Sequence, residues 1–227
     1  GLLILSLLHC LLQAGKVDLE YLARWTNAPL LVNETDGPEK GLILKNAESQ
    51  PFVIDKRTGA PAPWDGKGVQ PDLGATWQGH RTVFQHMAER YLAPEYAPEA
   101  VAERCGIPAA RIRALAAELA DVAFNQAIEI KQPWTDFRGD THDTMLGRPV
   151  SFHAMRGISA HSNGFQTARA LHVLQIVLGS VEVPGGYRLK PPYPKPVEAH
   201  PTPHAISTPG KPLPGPHLGY VRGPEQL

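Results

Sequence analysis

Cysteine is scarce: the 227 residues contain only Cys10 and Cys105. Two such isolated residues form no CxxC pair and no four-cysteine cluster. That excludes a disulfide framework, a zinc ribbon or an iron–sulfur site built from these residues alone. Neither sign of charge is in excess, with 22 basic residues against 22 acidic ones. The balance argues against a polyanion-binding surface, so no nucleic-acid partner is expected. The longest apolar run, residues 2–12, is interrupted by His9 and falls short of the roughly 20 residues of a membrane span. It also lacks the basic start and small-residue cleavage site of a signal peptide, so it reads as a buried helix. A chain that opens at Gly1 inside a core helix is expected to be an internal piece of a longer subunit. The GxGxxG fingerprint, the P-loop and the GxSxG elbow are missing too.

Glycine and proline are abundant, 21 and 23 residues, so much of the chain must be loop. Ten of residues 191–216 are proline, which predicts an extended, PPII-like segment over 191–227. Ahead of it, 1–190 reads as part of one α/β body with insertions at about 28–83 and 125–149. Helices are expected at 2–14 and 18–25, with Asp18 capping the second and Gly15 stopping the first. "LILKN" and "FVID" read as short strands, and Asp55-Lys56-Arg57-Thr58-Gly59 as a turn into a proline-rich stretch. Residues 96–120 predict a helix stopped at Gly106, then a longer one with Pro108 in its first turn and Ile112, Leu115 and Leu119 as its apolar stripe.

Chemistry concentrates in residues 150–179. "VSFHAMRG" predicts a strand ending at Gly157, and "FQTARALHVLQIVLG" a helix opened by Gly164. A helix N-terminus presents unpaired N–H donors and partial positive charge, a natural seat for phosphate. Arg156 and His161 add side-chain donors, Arg156 in the forked geometry that suits a diphosphate.

Three stretches resemble the molybdopterin oxidoreductases of the dimethyl-sulfoxide-reductase superfamily, in that family's order. They are "LLILSLLHCLLQAGKVDLEYLARWTN", "YAPEAVAERCGIPAARIRALAAELA" and "MRGISAHSNGFQTARALHVLQIVLGSVEVPGG". "WTDFRGDTHDTMLGRPVSFHAMRGISAHSNGFQ" and the "YRLKPPYPKP" tail are most similar to catalytic chains acting on sulfur compounds. Within that group the cytoplasmic, membrane-associated sulfite dehydrogenases come first, and thiosulfate or polysulfide reductases next.

The resemblance implies a partial Rossmann-like αβα domain of a catalytic subunit. Its cofactors would be molybdenum bis(molybdopterin guanine dinucleotide) and a [4Fe–4S] cluster bound by an N-terminal part outside this chain. Arg156, Gly157, Ile158, Ser159, His161, Asn163 and Gly164 would hold one pterin dinucleotide. Arg188 and Lys190 would stand near the substrate funnel or the second pterin. The metal ligand and the catalytic residues would lie outside this chain, and no metal ligand is assigned here. A membrane anchor and an iron–sulfur electron-transfer subunit would complete a cytoplasmic complex, or a periplasmic one. The loop departs from the family at Ala160, where glutamine is common.

Rival readings are a formate dehydrogenase or nitrate reductase-like subunit, and a non-catalytic α/β module binding a nucleotide or a partner. His200 and His204 have ligand spacing, but Pro201 and Pro203 exclude the regular helix it needs. Asp136, Asp140, His142 and Asp143 read as a solvated loop over the active-site entrance, pinned by Trp134 and Phe137.

Overall fold

The computed structural model describes residues 1–154 and 156–188 of the chain. Helices α1 (Leu2–Gln13) and α2 (Leu19–Trp25) lead into two small hairpins, β1 (Phe52–Asp55) with β2 (Ala60–Pro63) and β3 (Thr76–Trp77) with β4 (His80–Arg81). Three helices follow, α3 (Val83–Tyr91), α4 (Pro98–Cys105) and α5 (Ala109–Ala120). Strands β5 (Ile128–Ile130), β6 (Trp134–Thr135), β7 (Thr141–His142) and β8 (Met145–Gly147) come next, and then α6 (Arg156–Ser159) and α7 (Gly164–Val177).

Apolar residues cover nearly every side of α1 because helices surround it: it packs on α3, α4, α5 and α7. Leu8 and Leu11 are fully buried with Ile112, Leu174 and Leu178 from α5 and the end of α7. Each such side chain contributes about 1.5–3 kcal/mol by leaving water. His9, which breaks the apolar run, is tied through Nδ1 to the Tyr91 carbonyl at 3.0 Å. Gly15 then adopts φ +63°, the left-handed conformation that turns the chain out of the helix. Asp18 caps α2 by accepting the Tyr21 N–H at 2.9 Å.

The buried face of α5 differs from the expected Ile112, Leu115, Leu119 stripe. Ile112, Ala116 and Ala120 are the buried residues, and the two leucines are half-buried. Alanine's small side chain lets the leucines of α1 pack close to α5, so residue size rather than hydrophobicity alone selects the contact face.

Segment 28–83 forms its own small core of Leu31, Phe52, Ile54 and Ala75. Thr82 closes it with a capping box on α3: its Oγ1 accepts the Gln85 N–H at 3.2 Å, and Gln85 Oε1 accepts the Thr82 N–H at 2.9 Å. The Thr82 hydroxyl is itself buried and donates to the Leu73 carbonyl at 2.6 Å. Thr82→Val should therefore destabilise the protein by about 1–2 kcal/mol. Urea unfolding measures it, and a loss below about 0.5 kcal/mol would show the cap to be dispensable.

The mixture of helices with small sheets agrees with an α/β chain. All four sheets, however, are two-stranded and antiparallel, and no parallel sheet forms among the described residues. The Rossmann-like layer is therefore not seen there. The strands are two to four residues long, too short for the buried apolar runs that a parallel sheet requires. The strand expected at 150–157 is also absent: residues 151–154 have no regular structure and α6 begins at Arg156. Gly157 therefore lies inside a helical turn rather than at a strand end. The Phe152 N–H goes to the buried Gln175 side chain at 3.3 Å, where a strand would have bonded a neighbouring strand. Among the described residues no helix is long and apolar enough to cross a membrane. The proline-rich segment 191–227, Lys190, His200 and His204 lie outside the described residues.

Candidate functional site

The turn between α6 and α7 gathers the residues singled out by sequence. Gly164 makes this turn possible: a Cβ there would stand 2.0 Å from the Ser159 carbonyl oxygen. Asn163 occupies the N-cap of α7 but makes no side-chain cap bond, so the helix start keeps its donor character. Arg156, His161 and Asn163 are exposed and form no side-chain hydrogen bond among the described residues. Ser159 differs, because its hydroxyl donates to the Arg156 carbonyl at 3.0 Å and is left only as an acceptor. Gly157 is open, with nothing within 4 Å of a Cβ. Ile158 is half-buried and packs on the main core.

A cavity of about 370 Å³ adjoins this turn, lined by Phe152, Ala154, Arg156, Ile158, Ser159, Ala168, Leu171, His172, Gln175 and Tyr187. Arg156, Ile158 and Ser159 thus share a cavity, whereas Gly157, His161, Asn163 and Gly164 are not on its wall. The sequence reading missed His172, Gln175 and Tyr187. His172 meets Tyr187 edge-on at 5.5 Å, and Gln175 is 1% exposed at the base. A glutamine on the buried side of an otherwise apolar helix was the available signal. Arg188 is exposed.

A larger cavity of about 570 Å³ lies between α1 and α5, lined by Cys10, Lys16, Arg113 and several alanines. Burial pushes the Cys10 thiol up, against the pull of Arg113, so it is protonated at neutral pH and a weak nucleophile. That cavity has the character of a packing groove. Among the described residues no group of three or more His, Cys, Asp or Glu side chains is placed to hold a metal ion.

The insertion 125–149 corrects the expectation of a solvated loop. Asp136 is buried, and its Oδ2 takes Arg24 Nε at 3.0 Å and pairs with His142 Nε2 at 3.1 Å. Its Oδ1 accepts the backbone N–H groups of Arg138 and Asp140 at 2.9 and 3.0 Å. Burial alone would raise the Asp136 carboxyl. The bonds from His142 and the two amides, with the charge of Arg24, outweigh burial and hold it below the usual carboxylate range. Arg24 also reaches Asp140 at 2.7 Å, and Asp140 accepts the Gly68 N–H at 3.1 Å.

Trp134 stacks on Trp25 at 5.9 Å and on His142 at 4.6 Å, while its Nε1 donates to the Thr144 carbonyl at 2.9 Å. Trp134 does anchor the insertion. Phe137 also reaches out of the insertion, its ring 5.5 Å from Trp25 and 6.0 Å from Trp64, although it is 55% exposed. Farther along, Arg148 binds the Asp18 carboxylate at 2.8 Å and the Ala123 carbonyl at 3.1 Å, joining the insertion to the cap of α2. The repeated acidic residues around Phe137-Arg138-Gly139 signal a turn, but their distant partner Arg24 leaves no local pattern.

No family model matches the chain. Along its whole length the chain is 38% identical to a sulfite dehydrogenase subunit of Allochromatium vinosum. It spans about a quarter of that protein's length.

Proposed function

We propose that the chain is part of the catalytic subunit of a molybdenum enzyme that oxidises sulfite, and that the α6–α7 turn holds one of its pterin–guanine dinucleotides. The observation that carries the reading is the whole-chain similarity to the Allochromatium sulfite dehydrogenase subunit. The donor set of the turn fits the group. Arg156, His161 and Asn163 have no competing side-chain bond among the described residues, and the uncapped α7 start adds backbone N–H groups. Gly157 leaves the backbone approachable, while Ser159 offers only lone pairs. When bound, the molybdenum–pterin group supplies the two-electron oxygen-transfer chemistry, and the protein supplies binding and orientation. Arg156 offsets the diphosphate charge, and His161 and Asn163 fix its register by directed hydrogen bonds. Gln175 holds the Phe152 amide and so fixes the segment that enters the turn.

Neither cysteine belongs to the metal or cluster in this reading: Cys105 Sγ donates to the Ala102 carbonyl at 3.7 Å, and both side chains are half-buried in the helical core. The [4Fe–4S] cluster, the metal ligand, the membrane anchor and the electron-transfer protein are assigned to other parts of a cytoplasmic complex.

The test is made on the full-length enzyme assembled with its partners. Purified complex should contain molybdenum, release guanine nucleotide on acid hydrolysis and reduce an artificial acceptor with sulfite. The double variant Arg156→Glu with Asn163→Asp should lower nucleotide content by at least about tenfold while the enzyme stays folded. A folded complex without guanine nucleotide would remove the cofactor reading. One that carries it but leaves sulfite untouched would remove the substrate.

A further inference from the structure

Gln175 is 1% exposed, and both ends of its side-chain amide are engaged. The oxygen accepts the Phe152 N–H at 3.3 Å, and this fixes the amide's orientation, because a backbone N–H only donates. Its Nε2 group therefore faces His172, one helical turn earlier on α7, whose Nδ1 lies 3.5 Å away. An amide NH2 is a donor only, so Nδ1 is the acceptor and the His172 proton sits on Nε2. The contact is long, yet it is the one acceptor of Gln175 Nε2 among the described residues, and burial keeps water from replacing it. His172 is exposed, but Tyr187 stands edge-on to its ring at 5.5 Å. Tyr187 is itself held: its N–H donates to the Ser180 carbonyl at 2.7 Å. Ser180 in turn donates through its N–H and hydroxyl to the Gln175 carbonyl at 3.0 and 3.1 Å. Apart from the Phe152 bond, no hydrogen bond joins residues 151–154 to α7 among the described residues.

We propose that His172 is a positioning residue of the α6–α7 turn: neutral, it orients Gln175, which holds the segment entering the turn, and its protonation releases that segment. A protonated imidazole carries a hydrogen on Nδ1 as well as on Nε2. If Gln175 keeps its orientation, its NH2 then faces a second donor. If the amide turns over to offer oxygen to His172, its NH2 faces the Phe152 N–H instead. Either arrangement sets two donors against each other where water does not reach, and swinging the ring away strands Gln175 Nε2. Arg156 from α6 and Tyr187 share the cavity wall with His172. The other ionisable groups of these elements are His153 in the entering segment, His161 in the turn, Arg169 on α7, and Glu182 and Arg188 in the loop beyond. Only His153 and His161 among them are imidazoles, the side chain that ordinarily changes charge between about pH 5 and 8. The latch follows from the directions of the hydrogen bonds, and its control over dinucleotide retention rests on the cofactor reading above.

The experiment measures amide hydrogen exchange in the full-length assembled enzyme at about pH 8 and about pH 5.5, corrected for the intrinsic effect of pH. Protection of the peptide containing Phe152 should fall by at least about fivefold at the lower pH, while that of α1 holds. His172→Asn places a non-titrating oxygen near the position of Nδ1, so it should stay protected at both pH values. His172→Leu, which has no acceptor, should lose protection at both. His153→Gln should behave as the unaltered enzyme does. Equal protection at the two pH values in the unaltered enzyme overturns the proposal, whichever variants fold. So does a pH difference that persists in His172→Asn, or a His172→Leu enzyme as well protected as the unaltered one. Loss of the difference in His153→Gln assigns it to that imidazole and overturns the proposal too. Guanine nucleotide retained through gel filtration is read in parallel. A turn that responds to pH in an enzyme without guanine nucleotide keeps the latch and removes the cofactor reading. Nucleotide held by an enzyme whose turn ignores pH does the reverse.

Discussion

Asp136→Ala should remove about 3–5 kcal/mol of folding stability, the scale of breaking a buried ion pair from one side. Two backbone amides, one arginine and one histidine lose their acceptor together. Arg24 keeps Asp140, so its charge is not stranded, but the 136–140 turn loses both bonds that shape it. In a chain of this size such a loss corresponds to a fall in Tm of roughly 10 °C. Asp140→Ala should cost less, because its carboxylate binds one arginine and one amide from a less buried position. Acid sensitivity gives an independent reading. The Asp136 carboxyl is held low in the folded protein, so its contribution is complete above the unfolded value of about 3.9 and fades as pH falls through the lower folded value. The gap between wild type and Asp136→Ala should therefore be constant from pH 7 to about pH 5 and close below about pH 4. Urea unfolding across that range measures it. A gap below about 1 kcal/mol at neutral pH would mean that the network is a solvated surface cluster after all.

That network shows which parts of the fold sequence can reveal. Helix α1, the Asp18 cap, the Gly15 turn and the Gly106 stop were legible because each depends on residues within one or two turns. The strand expected at 150–157 was not excluded by its own composition. It fails because Gln175, more than twenty residues later, takes the Phe152 amide and no neighbouring strand is supplied. Arg24 and Asp136 are likewise separated by 112 positions, so only the folded chain shows that an exposed-looking "DFRGD" is a buried ion-pair seat. The α6–α7 turn was legible as a run of small and polar residues ahead of a helix. Its cavity was not, since His172, Gln175 and Tyr187 enter from α7 and from the loop beyond it.

Two glycines in the candidate site should separate packing from ligand access. A Cβ on Gly164 would lie 2.0 Å from the Ser159 carbonyl oxygen, 2.4 Å from its carbon and 2.7 Å from its Cα. All three are backbone atoms, so no side-chain rotation relieves the contact and α6 must move away from α7. Gly164→Ala should cost about 1–3 kcal/mol of stability. Because Arg156 and Ser159 line the cavity from α6, under the cofactor assignment proposed above the same shift should lower the guanine nucleotide content of the assembled complex by at least about tenfold. Gly157→Ala is the counterpart: a Cβ there meets nothing within 4 Å, and alanine suits a helical turn better than glycine. It should leave stability unchanged or raise it by about 0.5–1 kcal/mol. Nucleotide content then decides Gly157's part in the site. Content that falls in Gly157→Ala despite normal stability means that the dinucleotide approaches the backbone at Gly157. Content that holds there and falls only in Gly164→Ala means that the turn's shape alone is required. Unchanged content in both variants would move the dinucleotide away from this turn and leave Arg156, His161 and Asn163 without a ligand.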